Sequence, residues 1–216
     1  MAIAYDNSAQ GTTTTNPLTY SHTTAGSDRI LFVGVRWYQG DNLTSVTYAG
    51  VAMTQINKRQ DNAGNNAYTY LYYLINPASG ANNVVVTGTG NPNIRIDSVS
   101  ASYTGADQSA QPDSSNSQSS TSSTMTMSTT VVASNCWLVG ISSNFRATSP
   151  GAGTTERQEI AGDPFAIDDS NGTVGTGSQS LQWTQTDSTI SAQHIASIFP
   201  IQPYTNRRLC LLGIGI

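Results

Sequence analysis

The sequence predicts an all-β fold: a two-sheet antiparallel β-sandwich of jelly-roll or related Greek-key topology, with little helix. Three observations carry this. Apolar residues recur at period two in short runs rich in Val, Ile, Tyr and Thr. The runs are parted by clusters of Gly, Pro, Asn, Asp and Ser, which turn the chain. No stretch sustains the roughly 3.6-residue apolar period of an amphipathic helix.

Ile3–Tyr5 and Leu18–His22 read as short strands flanking a loop rich in Gly, Thr and Asn, and Pro17 suits a strand start because it donates no ladder hydrogen bond. Arg29–Thr54 holds three more. In the first, Leu31, Val33, Val35 and Trp37 share one face, while Ile30, Phe32, Gly34, Arg36 and Tyr38 share the other. The wholly apolar set is expected to face the core. Ser45–Tyr48 and Val51–Thr54 meet at Ala49-Gly50, where glycine supplies the positive φ of a type II turn. Tyr68–Ile75 is apolar on both faces and is expected to be covered on both.

Asn76-Pro77-Ala78-Ser79-Gly80 is a turn leading into Val84–Thr87, and Ile94–Thr104 follows with Val99, Ala101 and Tyr103 as its inner set. Gln108–Thr124 is then almost wholly Ser, Thr, Gln, Asp and Asn, too polar to bury surface, and reads as a long exposed loop. Strands resume at Met125–Val132, Cys136–Ser143, Thr155–Ile160, Phe165–Asp168, Ser180–Thr186 and Gln193–Phe199. Because the same pattern runs on both sides of the loop, residues 1–201 are expected to form one sandwich domain with a loop at 108–124. Residues 202–216 form a link and an apolar strand or arm. The expected interior is Leu31, Val33, Val35, Trp37, Val85, Val99, Tyr103, Trp137, Val139 and Ile141.

Charged residues make up only 10% of the chain, against about 25% in an average domain, so Ser, Thr, Asn and Gln must supply its polar surface. Such surfaces are typical of proteins that work outside the cytoplasm or pack into assemblies. A net charge of −4 with Lys58 as the only lysine argues against a nucleic-acid partner, which needs clustered cations. The longest apolar run, Leu209–Ile216, is far short of the roughly 20 residues that cross a bilayer, so no membrane insertion is expected. The opening MAIAYDNSAQ turns polar too early for a secretory signal, which predicts synthesis in the cytoplasm. Cys136 and Cys210 lie in apolar runs and read either as buried free thiols or as a disulfide between strands.

A Ser-His-Asp hydrolase needs a histidine beside its nucleophile, and the chain has only His22 and His194, both alternating within strands and read as structural. A glycosidase needs two opposed carboxylates; Glu156 and Glu159 are expected on opposite faces of one strand. The segment from Asp163 to Gly172 offers Asp163, Asp168 and Asp169 as weak Ca²⁺ candidates, without the spacing of a known calcium loop, and reads first as an ordinary turn. No cofactor motif is present, so neither a cofactor nor an enzymatic activity is expected. Exposed aromatics on a sandwich can stack on sugars, which makes Trp37, Tyr38, Tyr68, Tyr70, Tyr72 and Trp183 the candidates for a glycan platform, against core packing as the simpler role. Asn42-Leu43-Thr44 and Asn171-Gly172-Thr173 match the glycosylation acceptor pattern, which arises easily in so Thr-rich a chain.

The succession AYDNSA, RILFVGV, SVTYAGVAMT, YLINPASGANNVVVT, SYTGADQ, a Ser/Thr-rich loop and CWLVGI resembles a group of poorly characterised jelly-roll-like β-sandwich proteins. These occur among bacteriophage particle proteins, decoration or tail-associated, and among bacterial secreted or surface proteins. That hairpin often carries Asn-Gly where this chain has Ala49-Gly50. The resemblance attaches no catalytic residue. It implies a non-enzymatic structural component of an extracellular assembly, most specifically a virion protein that leaves the host by lysis and contacts its own copies or other virion subunits. The alternative is a carbohydrate-binding module or lectin-like surface protein that binds surface glycans. In the C-terminal arm, Leu209, Leu211, Leu212, Ile214 and Ile216 make both strand faces apolar. Such a strand must be covered, either inside its own sandwich or by adding to a neighbouring subunit.

Overall fold

The computed structural model describes residues 2–61, 66–90, 95–144, 148–162, 164–186 and 190–202. They form strands and turns without helix. The first half runs through β1 (Ala4–Thr13), β2 (Leu18–Thr24), β3 (Ile30–Trp37), β4 (Leu43–Tyr48), β5 (Val51–Ala52), β6 (Thr54–Asp61), β7 (Ala67–Ile75), β8 (Gly80–Gly88) and β9 (Ile96–Thr104). The second contains β10 (Ser114–Ser120), β11 (Thr124–Val131), β12 (Trp137–Ser143), β13 (Thr148–Pro150), β14 (Thr155–Ile160), β15 (Phe165–Asp169), β16 (Gly177–Gln185) and β17 (Ser191–Ile198).

In the first half the large sheet has the order β1-β9-β3-β7-β6 and the small sheet β2-β8-β4-β5, every pair antiparallel. This is a jelly roll, two Greek keys closed into two sheets. β5 and β6 behave as one strand broken at Met53, the first part pairing with β4 in the small sheet and the second with β7 in the large one. The second half repeats the pattern: β10-β17-β12-β15-β14 and β11-β16-β13. Among the described residues the strands from β10 to β17 take the pairings of their counterparts, save that β13, the counterpart of β4, has no neighbour equivalent to β5, so the molecule is two jelly rolls in tandem.

The sandwich of the sequence reading is therefore built from four sheets rather than two. A first apolar cluster fills the space between the small and large sheets of the first half, with Leu31, Val33, Val35 and Trp37 against Val46, Tyr48, Val84 and Val86. A second joins the two large sheets, Ile30, Phe32, Leu71 and Tyr103 meeting Trp137, Val139, Ile141, Phe165 and Ile167. A third lies between the large and small sheets of the second half, where Leu138 and Ile195 meet Met125, Met127, Leu181 and Trp183. In the central seam β1 lies against β14 and, correspondingly, β6 against β10. The two halves thus face each other through the same sheet, in the manner of an isologous dimer.

Burial on both faces explains β3, β12, β15 and β17, in which every residue is buried. The strand-like tail of the supposed loop at 108–124 is a correction. Ser114–Ser120 pairs along its whole length with β17, and Asn116 and Gln118 donate to the main-chain oxygens of Ser128 and Thr126 on β11. Main-chain bonding holds this strand at the sheet edge, so an apolar pattern could not announce it. Val85 is also corrected: it is half-buried on the outer face, while Val84 and Val86 point inward. At Ala49-Gly50 both residues have positive φ, 51° and 79°, which is a type I′ hairpin rather than type II. Part of Ile94–Thr104 and the whole arm from Leu209 lie outside the described residues.

Gly34 marks how closely the large sheets approach. A Cβ added there would lie 2.7 Å from Ile141 Cγ2 across the seam and 3.2 Å from Val99 Cγ2. Gly34→Ala is expected to cost about 1–3 kcal/mol by overpacking, read as a lower urea midpoint. In the double variant with Ile141→Ala the loss should be smaller than the sum of the two single losses. Strict additivity would mean that the two positions do not press on each other.

Candidate functional site

The six aromatics singled out as a sugar platform do not form one. Trp37, Tyr38, Tyr70, Tyr72 and Trp183 are buried, and only Tyr68 is half-buried. Their polar ends are engaged: Tyr70 donates to Asp41 Oδ1 at 2.6 Å, Tyr72 to Gln55 Oε1 at 3.0 Å, and Trp183 Nε1 to Asp168 Oδ2 at 2.9 Å. The Tyr38 ring packs on the Arg36 guanidinium, 5.1 Å from its centroid. A ring that stacks on a sugar must keep an open face, and in sheets covered on both sides these rings fill the interlayer space instead.

The calcium candidates also separate. Asp163 lies outside the described residues. Asp168 and Asp169 are consecutive in β15 and point to opposite faces. Asp169 faces the seam, where it takes Arg157 Nε at 2.6 Å, Arg157 Nη2 at 2.9 Å and the Tyr103 hydroxyl at 3.0 Å. Asp168 faces the small sheet. Among the described residues no three His, Cys, Asp or Glu side chains converge on a metal position.

Glu156 and Glu159 require a correction. The register of β14 slips at Arg157, so that Glu156 lies opposite Asp168 and Glu159 opposite Ala166. A bulge adds one residue and reverses the alternation, which puts both glutamates on the Asp168 side. Burial pushes the Asp168 carboxyl well above its usual range, and the neighbouring carboxylates add to the shift. Glu159 is raised for the same reasons. Trp183 reaches Asp168 because Gly140, its cross-strand partner, has no side chain; a Cβ there would come within 3.0 Å of Trp183 Cη2.

A polar constellation in the seam was not foreseen. Arg36 is wholly buried and grips Asp97 through Nε at 3.1 Å and Nη2 at 2.7 Å. Its Nη1 crosses to the second half, donating to Ser143 Oγ at 3.3 Å and to the carbonyl oxygens of Asn144 and Pro164 at 3.3 and 3.4 Å. Arg95 Nε adds a second cation 2.8 Å from Asp97 Oδ1. Ser143 also donates to Asp61, and the Thr69 hydroxyl lies 2.9 Å from His194 Nε2. Chemically this arrangement is a clamp: groups of one jelly roll satisfy buried groups of the other. Its sequence signal was Arg36 itself, a charge on a face that also carries Ile30 and Phe32.

His22 comes nearest to a hydrolytic pairing. Its Nδ1 lies 2.8 Å from Ser100 Oγ and its Nε2 3.0 Å from Ser102 Oγ, which donates to Asp6 at 2.8 Å. Both serines and the histidine are buried between two sheets, where no substrate carbonyl can approach. Cys136 is a buried free thiol, pushed up to about 12 by burial; Cys210, the other half of the disulfide alternative, lies outside the described residues. No protein family, curated protein or solved structure matches this chain.

Burial lowers His22 to about 4 and His194 to about 3, from an ordinary 6.5. The unfolded chain therefore takes up these protons first as the pH falls. Their stabilising effect is complete above about pH 6.5 and is lost toward pH 4, by about 3 kcal/mol for His22 alone. Asp168 has the opposite sign: its raised carboxyl favours the fold at low pH and loses that effect as the pH rises through its folded value. Asp168→Asn keeps an acceptor for Trp183, so urea midpoints from about pH 4 to 8 should show equal or greater stability at neutral pH and a steeper loss toward acid, because the offsetting gain from Asp168 protonation is gone. A variant clearly weaker at neutral pH, or a wild-type midpoint flat below about pH 6, contradicts this account.

Proposed function

We propose that the protein is a non-enzymatic structural subunit of an extracellular assembly, in its most specific form a bacteriophage virion component such as a capsid decoration or tail-associated protein. The observation that carries the reading is where the polar groups go. Among the described residues, His22, His194, Cys136, Asp168 and Asp169 are buried between layers, whereas the outer faces of the small sheets carry short uncharged side chains. Thr19, Ser21 and Thr23 on β2 and Thr124, Thr126 and Thr130 on β11 are exposed. Such side chains are covered by a neighbouring subunit at far lower desolvation cost than charges. The partners are further copies of this chain or other subunits of the same particle. The sequence of the C-terminal arm adds a second support, since Leu209–Ile216 needs cover on both strand faces. The glycan-binding alternative loses its support with the burial of its aromatic candidates.

Native mass measurement and negative-stain microscopy on the full chain and on a chain lacking residues 207–216 test the proposal. The full chain is expected as a defined oligomer or particle, and the shortened chain as a folded monomer if the arm is exchanged. A full chain that stays monomeric at high concentration, together with saturable binding to a glycan, would sink the reading.

A further inference from the structure

The chain contains a single Asn-Gly pair, Asn171-Gly172, and it sits at the end of β15 beside the seam. Asn171 is exposed, with φ of 45°. Its main-chain N–H donates to Asp169 Oδ1 at 2.8 Å, and its side-chain Oδ1 accepts from Arg157 Nη2 at 2.8 Å. The Ser170 hydroxyl closes the turn by donating to the Gly172 carbonyl at 2.7 Å. Space around Gly172 is open: the atom nearest to an added Cβ is Ser170 O, 3.9 Å away.

We propose that Asn171 is a self-modification site, whose side-chain amide converts without an enzyme to aspartate or isoaspartate, and that this conversion acts on the seam between the two jelly rolls. The Gly172 main-chain nitrogen attacks Asn171 Cγ, a C–N bond forms, and the side-chain nitrogen takes up the proton released and leaves as ammonia. Water then opens the resulting succinimide at either carbonyl. No electron transfer is involved, and water is the only co-reactant. Two features of this turn favour the attack. Glycine puts no side chain in the path of the nucleophile. The Arg157 guanidinium already holds Oδ1, the oxygen on which negative charge develops when Cγ becomes tetrahedral, and a cationic donor placed there lowers the barrier.

The link to the seam runs through Arg157. Its guanidinium lies 4.2 Å from the centroid of the Tyr5 ring and holds Asp169, which accepts from Tyr103 of the first half. Aspartate at 171 brings a second carboxylate onto this guanidinium, beside Asp169. Isoaspartate lengthens the main chain inside a turn closed by two short hydrogen bonds and pulls on Asp169 directly. Either product changes how Arg157 is shared between the turn and the seam.

The test holds the full-length chain in mildly alkaline buffer at body temperature, folded or unfolded in urea, and follows position 171 by peptide mapping and isoaspartate detection. Conversion is expected first at Asn171 and several-fold faster folded than unfolded. Arg157→Lys should reduce the folded rate about ten-fold, having lost the planar donor, and leave the unfolded rate unchanged, so that a folding defect is told apart from a lost donor. The converted form, separated by its extra negative charge, should unfold at a lower urea concentration. A folded chain that converts more slowly than the unfolded one, or another asparagine that reacts first, overturns the proposed activation. A converted form with an unchanged midpoint overturns the link to the seam.

Discussion

Contact between the two five-stranded sheets is the constraint from which the rest of the molecule follows. Once Phe32, Tyr103, Val139 and Phe165 are committed to the seam, the large sheets still carry a second apolar face each, and the small sheets exist to cover it. The four layers are the consequence. Arg36 helps fix the alignment of the seam, because its guanidinium is shared between Asp97 from its own half and Ser143, Asn144 and Pro164 from the other. Breaking one partner of such a buried pair is strongly destabilising, since the remaining charge has no solvent.

Each jelly roll presents the seam with the same sheet, so the contact has the form of a dimer interface, yet both partners belong to one chain. The connection through residues 105–113 makes the encounter intramolecular, which raises the effective concentration of one half around the other. Neither half is self-sufficient on this view: without its partner, a five-stranded sheet would leave Ile30, Phe32 and Leu71, or Val139, Ile141 and Ile167, facing water.

The distribution of charge ties the architecture to the proposed role. Arg36, Asp61, Asp97, Asp168 and Asp169 are buried, so a chain already poor in charges places several of them inside. What remains outside is dominated by hydroxyls and amides, a surface that can be packed against neighbours without stripping water from ions. The histidines follow the same logic. They are neutral hydrogen-bonding members of the interlayers, and the strand alternation from which a structural role was inferred is the reason they point inward.

Many strand positions and the structural nature of His22 and His194 were determined by the sequence itself, because period-two alternation and Gly, Pro and Asn punctuation are local properties. The polar strands were not, since β1 runs on to Thr13 through the expected loop and β6, Thr54–Asp61, carries no apolar alternation. Thr155–Ile160 matches its strand at both ends, and Tyr68–Ile75 showed in its two apolar faces that it would be covered twice. What only the tertiary structure decided depends on partners distant in the chain. Ser114–Ser120 becomes a strand because β17 offers it a ladder; Glu156 and Glu159 share a face because of a bulge at Arg157; and Trp183 is buried because Gly140 leaves room above Asp168. The number of layers belongs to the same class. Alternation tells which face of a strand is apolar, but whether the other face meets water or a second jelly roll is fixed only when the sheets stack.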